Sequence, residues 1–347
     1  MTFRFRSTSP QDAPEVAAFL RRVFEADPGA PVIAPQHLYW KCWEERSDWP
    51  GSRGYVVTDD GVIVAHGTVV PLVCLSGEQR LRMVHVIDWA ADPLSPGSGI
   101  TLMKQIVKLV DAAIIVGGSE TAQKVTPALG FKDRGYVARF VRPLRPLRRI
   151  AGQKPSLRLG AQFARSCAWA LQAPRPRVRG WSADRVAPAG LDRQAMFWPR
   201  AANGATFFER TADTLAYLLK CPVTTMELWA VSKHGAVCGY FLLAHAPSQV
   251  RIADAFVDSA DREDWRALIQ LAVLQASQNA DAAEVVSFGS DPTMCRALLD
   301  SGFHDRGKFA MRLLSSKGVQ LRDWPIRFQM IDSDAAYLHQ NREAYWA

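Results

Sequence analysis

The residues best suited to chemistry lie between positions 84 and 106, where a predicted strand runs into a Ser-Pro-Gly-Ser-Gly loop that opens directly into a predicted helix. Gly97 and Gly99 allow the loop backbone to approach a ligand closely. Free N–H groups in such a loop and in the first helical turn form a nest for phosphate oxygens. The segment therefore predicts a site for a pyrophosphate-containing cofactor, with a simple tight turn between strand and helix as the alternative.

The same segment resembles the acyl-CoA motif of the GNAT (GCN5-related N-acetyltransferase) superfamily. Gly97 and Gly99 match the small residues of the family's loop, and Leu102 and Met103 match its paired helical leucines and methionines. The similarity covers roughly residues 5–140. It implies that acetyl-CoA or another acyl-CoA is the co-substrate, without a metal. The acyl-CoA-binding residues that it implies are Ala91, Asp92, Gly97, Ser98, Gly99, Ile100, Thr101 and Ser119.

Two positions depart from the family's pattern. Leu94 stands where the family has Arg or Gln, and Thr126 stands where a tyrosine often acts as general acid. These departures motivate an alternative hypothesis, in which the chain is a non-catalytic binding or assembly protein built on a decayed GNAT scaffold.

An internal repeat indicates that the fold occurs twice. Residues 111–135 and 281–307 share Asp-Ala-Ala, a β-branched run, Gly-Ser, a helical stretch, Gly-Phe and Asp-Arg-Gly. The second copy lacks the glycine loop, because Glu263 and Trp265 stand where the glycines should be. Several acidic residues around that position would also repel a pyrophosphate group.

These patterns predict an α/β fold with mixed sheets, arranged as two tandem GNAT-like domains. Predicted strands and helices follow one another in the same order in both halves. We assign residues 1–142 to a domain with the acyl-CoA site, 143–182 to a basic connector, and 183–347 to a degenerate domain with a C-terminal extension that we do not place.

Three ionisable residues near predicted strand ends are candidate catalytic bases: His85, Asp88 and Glu120. Each has a structural alternative, as a core histidine, a capping or ion-paired carboxylate, and an acid that favours a helix N-terminus, respectively. Strict alternation along the strand puts His85 and Trp89 on one face and Asp88 on the other. We therefore do not expect His85 and Asp88 to form a direct pair.

Positive charge is concentrated in one segment of the 347-residue chain. The net charge is +8, but the twelve Lys and Arg between Arg139 and Arg185 face a single acidic residue, so that segment carries +11 and the remainder −3. It could be a solvated linker, a contact for CoA phosphates or an anionic acceptor, or a peripheral membrane contact through a helix around Phe163 and Trp169. We do not expect nucleic acid as a partner, because no recognition motif accompanies the charge.

The N-terminal sequence, the apolar runs and the cysteines bear on the cell compartment and on whether a metal site is expected. No apolar segment opens the sequence as a signal peptide would, and no apolar run could span a bilayer, which favours a cytoplasmic location. The six cysteines form no Cys-x-x-Cys and lie near no histidine at metal-ligand spacing. We therefore expect reduced thiols and no metal site.

The predicted function is transfer of an acetyl or other acyl group from acyl-CoA to an amine of a small or carbohydrate-linked acceptor. Segments 40–57 and 143–149 resemble those of GNAT-like proteins from bacterial polysaccharide gene clusters. A FemAB-like transferase, which pairs two GNAT folds and uses aminoacyl-tRNA, is a further hypothesis. An open cleft from Gly97 to an ionisable group favours an enzyme, a cleft plugged by side chains favours a scaffold, and a basic surface leading into it favours aminoacyl-tRNA.

Overall fold

The computed structural model describes residues 2–150, 154, 156–176, 178–191, 205–316, 318–319 and 321–338. Its helices are α1 (Ala13–Val23), α2 (Pro35–Cys42), α3 (Ser98–Val107), α4 (Glu120–Ala128), α5 (Pro146–Ile150), α6 (Leu157–Gln172), α7 (Ala212–Leu219), α8 (Arg262–Gln278) and α9 (Pro292–Asp300). Its strands are β1 (Arg4–Ser7), β2 (Gly54–Asp59), β3 (Val62–Ser76), β4 (Gln79–Ala91), β5 (Ala112–Val116), β6 (Lys132–Pro143), β7 (Trp181–Arg185), β8 (Thr206–Phe208), β9 (Thr225–Lys233), β10 (Ala236–Ala246), β11 (Gln249–Val257), β12 (Glu284–Gly289) and β13 (His304–Ser315).

All thirteen strands belong to one mixed sheet. Its order is β1-β2-β3-β4-β5-β13-β6-β12-β11-β10-β9-β7, and β8 pairs with β3 off this path. The order β2-β3-β4-α3-β5-α4-β6 in the first half recurs as β9-β10-β11-α8-β12-α9-β13 in the second. The parallel pairs are β4 with β5 and β11 with β12, one in each half. The expected mixed α/β architecture is confirmed.

The two halves exchange their last strands. β13 lies between β5 and β6, and β6 in turn lies beside β12, so each half completes the sheet of the other. Val116 of β5 is opposite Met311 of β13, and Phe140 of β6 is opposite Ser287 of β12. One apolar core accordingly includes Ile114 from the first half and Val285 from the second.

Helix α3 illustrates how the sequence determines the local fold. Leu102, Met103 and Ile106 recur at helical spacing, are fully or almost fully buried, and pack on the sheet. The helix that follows the glycine loop ends at Val107, because the chain must then turn into β5. Asp111 completes that turn by accepting the N–H of Arg82 on β4.

The described part of the connector is docked on the protein. Arg145 donates to the carbonyl oxygens of Ser277, Asn279 and Ala282 at the C-terminal end of α8, where a cation also meets the negative end of the helix dipole. Trp169 of α6 stacks on His304 with ring centroids 3.9 Å apart. Within the described ranges, no helix combines the length and apolar composition that crossing a bilayer requires.

Candidate active site

The site is created where two parallel strands separate. β4 and β5 pair only from Met83 to His85, opposite Ala112 to Ile114, although β4 continues to Ala91. Beyond His85, the edge of β4 faces a cavity of about 780 Å³. The opposite walls are the α1–α2 loop, the start of α4 and the C-terminal segment that carries Asp334.

A bulge in β4 shapes the wall of this cleft. The register between β3 and β4 shifts after Ile87, and Asp88 has a φ of 48°, in the left-handed region that non-glycine residues rarely adopt. The alternation predicted from sequence is therefore wrong beyond this point. Trp89 packs with Val86 against α3, whereas Ala90 packs with the core under α1 and α2.

The glycine loop has the strand-to-helix geometry that its sequence predicts. Gly97 has a φ of 87° and precedes the first turn of α3. Gly99 is packed so closely that a Cβ there would lie 2.9 Å from the Cβ of Ala91 and 3.3 Å from Nε1 of Trp89. The indole N–H of Trp89 donates to the Gly99 carbonyl at 3.0 Å. Trp89 therefore connects the loop to the cleft.

Not every residue of the predicted phosphate nest keeps its N–H available. Ser98 donates its N–H to Ser95 and its hydroxyl to Val64, and Thr101 donates its N–H to the Gly97 carbonyl. The N–H groups of Gly99 and Ile100 belong to the first helical turn, which has no intrahelical acceptors. These two groups are the donors that the helix N-terminus offers to an anion.

Asp92 holds the loop together from its other end. Its N–H donates to Val64, one carboxylate oxygen accepts the N–H of Leu94, and the other accepts from Arg22 at 2.8 Å. Leu94, at the family's Arg or Gln position, is 84% exposed. Arg22, at the end of α1, thus brings a cation to the loop, and sequence reasoning missed it because 70 residues separate it from Asp92.

His85 is committed to structural hydrogen bonds. Its Nδ1 lies 3.1 Å from the Asp332 carbonyl oxygen, and its Nε2 accepts the N–H of Val116 at 3.3 Å. Burial lowers the pKa of His85 to about 4, so the ring is neutral near pH 7 and donates from Nδ1. The histidine bridges the point where β4 and β5 separate, and neither ring nitrogen is left to act as a base.

Asp88 lines the cleft as one half of a buried ion pair. Its carboxylate accepts from the Lys41 ammonium and, at 3.1 Å, from the Thr68 hydroxyl. Burial favours the neutral acid, but Lys41 and then His66 outweigh it, so the pKa of Asp88 is lowered. A weakly basic, ion-paired carboxylate is a poor proton acceptor. As expected, His85 and Asp88 bond to different partners.

Two further predicted residues lie at the N-terminus of α4, and only one of them lines the cleft. Ser119 caps the helix by accepting the N–H of Ala122 at 3.2 Å, and it lines the cleft. Glu120 is exposed in the first turn and does not line the cleft. Its position suits the helix dipole better than proton transfer.

The C-terminal segment fills the corresponding cleft of the second half. β11 and β12 pair only up to Ile252 and Ser287. Beyond that point, the Gln329 amide accepts the Ala255 N–H at 2.8 Å and donates to its carbonyl at 3.0 Å. Phe328, which is fully buried, donates its N–H to Ser290. The corresponding cleft of the second half is therefore plugged by the chain itself.

A buried ionic cluster anchors the same segment. Arg210 donates to Asp254 of β11 at 2.7 Å and to Asp332 at 2.6 Å, and all three side chains are at most 6% exposed. Arg251 adds bonds from its guanidinium to the Ala335 and Leu338 carbonyls. These contacts fix the 3-10 turn Asp334–Ala336 at the mouth of the first cleft.

Asp334 is a second residue that sequence reasoning missed. It lines the cleft and a second, adjoining cavity, and within the described ranges its carboxylate forms no ion pair within 4 Å. Burial, followed by repulsion from Asp88, raises the pKa of Asp334 to about 6, while Lys41 acts in the opposite direction. A carboxylate with this pKa is suited to accept a proton near neutral pH.

Comparison with solved structures shows a shared architecture. GCN5-related N-acetyltransferases from Anabaena variabilis and Kribbella flavida each match 90% of this chain and 72% of their own, at 12% identity and TM-scores of 0.58 and 0.55. N-myristoyltransferase of Saccharomyces cerevisiae with bound myristoyl-CoA matches 90% of this chain and 82% of its own, at 12% identity and a TM-score of 0.57. The chain has the fold of the GCN5-related N-acetyltransferases. The sequence matches no family model and no curated protein.

Within this GNAT fold, the predicted residues occupy three kinds of position. His85, Asp88 and Ser119 line the cleft, whereas Gly97 to Thr101 lie outside its lining and form the helix N-terminus to which Trp89 is bonded. Asp92 and Ser98 stabilise the loop through their own hydrogen bonds. The two site residues that the sequence did not predict, Arg22 and Asp334, come from distant parts of the chain.

Proposed function

We propose that this protein transfers a short acyl group, such as acetyl, from acyl-CoA to a primary amine. The observation that carries the proposal is the continuity of the first cleft, which runs from Trp89, bonded to the glycine loop, to Asp334, whose pKa is about 6. A cleft that extends from a tryptophan bonded to a helix N-terminus to an available base suits acyl-CoA chemistry.

The cleft suits each part of an acyl-CoA molecule. Gly99 and Ile100 offer N–H groups to pyrophosphate at the start of α3, and Arg22 brings a cation to Asp92 at the other end of the loop. The amides of the pantetheine arm resemble peptide groups, so they can extend the sheet along the β4 edge from Val86 to Trp89. The thioester then lies towards Asp334. Bound there, acyl-CoA supplies an activated acyl group, and the protein needs no metal.

Asp334 acts as the general base in this proposal. It removes a proton from the acceptor's ammonium group, because only the neutral amine has a lone pair for attack. The amine nitrogen bonds to the thioester carbonyl carbon, and the carbon–sulfur bond breaks with its electron pair going to sulfur. Of the two protons lost from nitrogen, one ends on the CoA thiol and one in solvent. Asp88 keeps its charge and holds Lys41 in place.

The contrast between the two halves favours an enzyme over a scaffold. Gln329 and Phe328 plug the second cleft, whereas the first retains about 780 Å³ of open space. Transfer from aminoacyl-tRNA requires a basic surface leading into the cleft. Arg142 of β6 and Arg145 of the connector instead bond to carbonyl groups of the second half.

Calorimetric titration with acetyl-CoA tests the nucleotide site. We expect wild-type protein to bind acetyl-CoA and Gly99→Val to abolish detectable binding, because the new side chain displaces Trp89 and distorts the loop. Arg22→Ala should weaken binding roughly 3- to 10-fold, as expected for one solvent-exposed cation near phosphate.

The adjacent Arg21 is the matched control, because it is exposed on the same helix and forms no ion pair with Asp92 among the described residues. Arg21→Ala should bind acetyl-CoA as wild type does. A folded wild-type protein that binds no acetyl-CoA would overturn the proposed function.

A further inference from the structure

A second cavity of about 330 Å³ adjoins the proposed acyl-CoA cleft. It lies where the exchanged strands meet, between β5, β6, β11, β12 and β13, and it shares His85, Val116, Gly118, Asp334 and Leu338 with the cleft. A molecule in this cavity would therefore meet the cleft at Asp334. This position is the one that an acceptor amine must occupy if Asp334 removes its proton.

The walls of the cavity combine apolar and cationic groups. Phe288, Phe309 and Met330 form apolar surface, with the two phenylalanine rings 5.5 Å apart. Arg139 of β6 lines the same space, with its guanidinium 5.8 Å from the centroid of Phe309. Arg251, fully buried, lines it from β11. Two guanidinium groups thus share the pocket with one carboxylate, Asp334.

Arg139 retains hydrogen-bonding capacity. Its Nη2 donates to the Arg306 carbonyl at 3.0 Å, but its buried Nε–H has no hydrogen-bond partner. Within the described ranges, no carboxylate lies within 4 Å of the Arg139 guanidinium. A buried guanidinium donor without an acceptor is costly, and the planar fork of arginine matches a carboxylate. A carboxylate bound in the cavity beside Arg139 would compensate the charge of its guanidinium.

From this geometry we propose that the second cavity holds the acceptor, a primary amine that carries a carboxylate and an apolar side chain, of the size of an amino acid. The amine faces Asp334, the carboxylate is bound by Arg139, and the apolar part packs on Phe288 and Phe309. The proposal rests on the proposed acyl-CoA function and specifies its acceptor. The end of a long acyl chain is a poorer occupant, because burying it here would desolvate the Arg139 guanidinium without supplying an anion.

The test compares acids with their amides. Acetyl transfer from acetyl-CoA is followed by release of the CoA thiol, with L-phenylalanine, L-leucine and L-methionine and their C-terminal amides as acceptors. Wild type should favour the acids in kcat/KM by roughly 10- to 100-fold, as expected for a charge-assisted hydrogen bond. Arg139→Gln should remove this preference by lowering kcat/KM for the acids alone, and Arg139→Lys should restore part of it.

Arg134→Gln is the matched control on the same strand, because Arg134 pairs with the exposed Asp323 and lines neither cavity. It should keep the wild-type preference. Calorimetry with acetyl-CoA is run on every variant and should give unchanged affinity. This measurement also detects a variant that has failed to fold.

Each alternative result has a distinct meaning. Acetyl-CoA binding with no preference for acids over amides overturns the acceptor proposal and leaves the proposed function standing. Absence of acetyl-CoA binding to folded wild type overturns both. Octanoyl-CoA binding more tightly than acetyl-CoA, with the advantage lost in a Val286→Trp variant that fills the cavity, would assign the cavity to the acyl chain and overturn the acceptor proposal.

Discussion

Replacement of Asp334 by asparagine should make the protein less active and more stable. The folded-state pKa of about 6 lies about two units above the ordinary value of 3.8, so the folded protein disfavours the ionised carboxylate. Because this pKa is raised, protonation of Asp334 stabilises the folded protein. This stabilisation is complete below pH 3.8 and is lost as the pH rises through about 6. Two units correspond to at most about 3 kcal/mol at pH 8, since one unit is worth about 1.4 kcal/mol. Asparagine has a similar shape and does not ionise.

The assay has two parts. Urea denaturation at pH 8 and at pH 4 should give Asp334→Asn a higher free energy of unfolding only at pH 8. At pH 8, kcat with the amine that wild type acylates fastest should fall roughly 10²- to 10⁴-fold, the usual range for losing a general base. Acetyl-CoA affinity should not change. In wild type, kcat/KM should rise near pH 6 as Asp334 ionises, and this rise should be absent from Asp334→Asn.

Asp323→Asn is the control for this prediction. It makes the same substitution in the same C-terminal segment, at a side chain that is 100% exposed. It should alter neither stability nor turnover. If Asp334→Asn keeps wild-type turnover and pH profile, or if it lowers stability at pH 8, the assignment of Asp334 as an available, destabilised base is wrong.

Two further predictions concern the segment that carries this carboxylate. Gln329→Ala should lower the free energy of unfolding by about 2–4 kcal/mol, because the Ala255 N–H and carbonyl would be buried without partners, and urea denaturation against an exposed Gln278→Ala control would measure it. Arg210→Met should cost about 3–5 kcal/mol by leaving two buried carboxylates unpaired. The triple variant that also has Asp254→Asn and Asp332→Asn should recover much of that loss, and a triple variant as unstable as Arg210→Met would contradict the ionic explanation.

Local patterns in the sequence were sufficient to predict much of the fold. The glycine loop and the apolar face of α3 depend on neighbouring residues, so short-range spacing predicts them correctly. The repeat between residues 111–135 and 281–307 predicted the matching order of elements in the two halves. The division at residues 142 and 182 stays a prediction about the chain.

Features that depend on long-range contacts could not be predicted from the sequence. The bulge at Asp88 reverses which side of the sheet the following β4 residues face. No local residue type predicts the bulge, because Lys41 and Thr68 stabilise that position from distant parts of the sequence. The C-terminal segment has little periodicity of its own, since its conformation is imposed by contacts such as Gln329 with Ala255. Asp334 therefore could not be recognised as part of the site.

The exchanged strands have a consequence for synthesis on the ribosome. β5 and β6 are both complete at Pro143, but the strand that belongs between them, β13, begins only at His304. A nascent chain that has released residues 1–143 would hold two unpaired strand edges, which are prone to wrong pairing and aggregation. The N-terminal half therefore cannot follow the usual order, in which the first domain folds while the second is still being made. Completion of the first half must wait until β13 has left the exit tunnel.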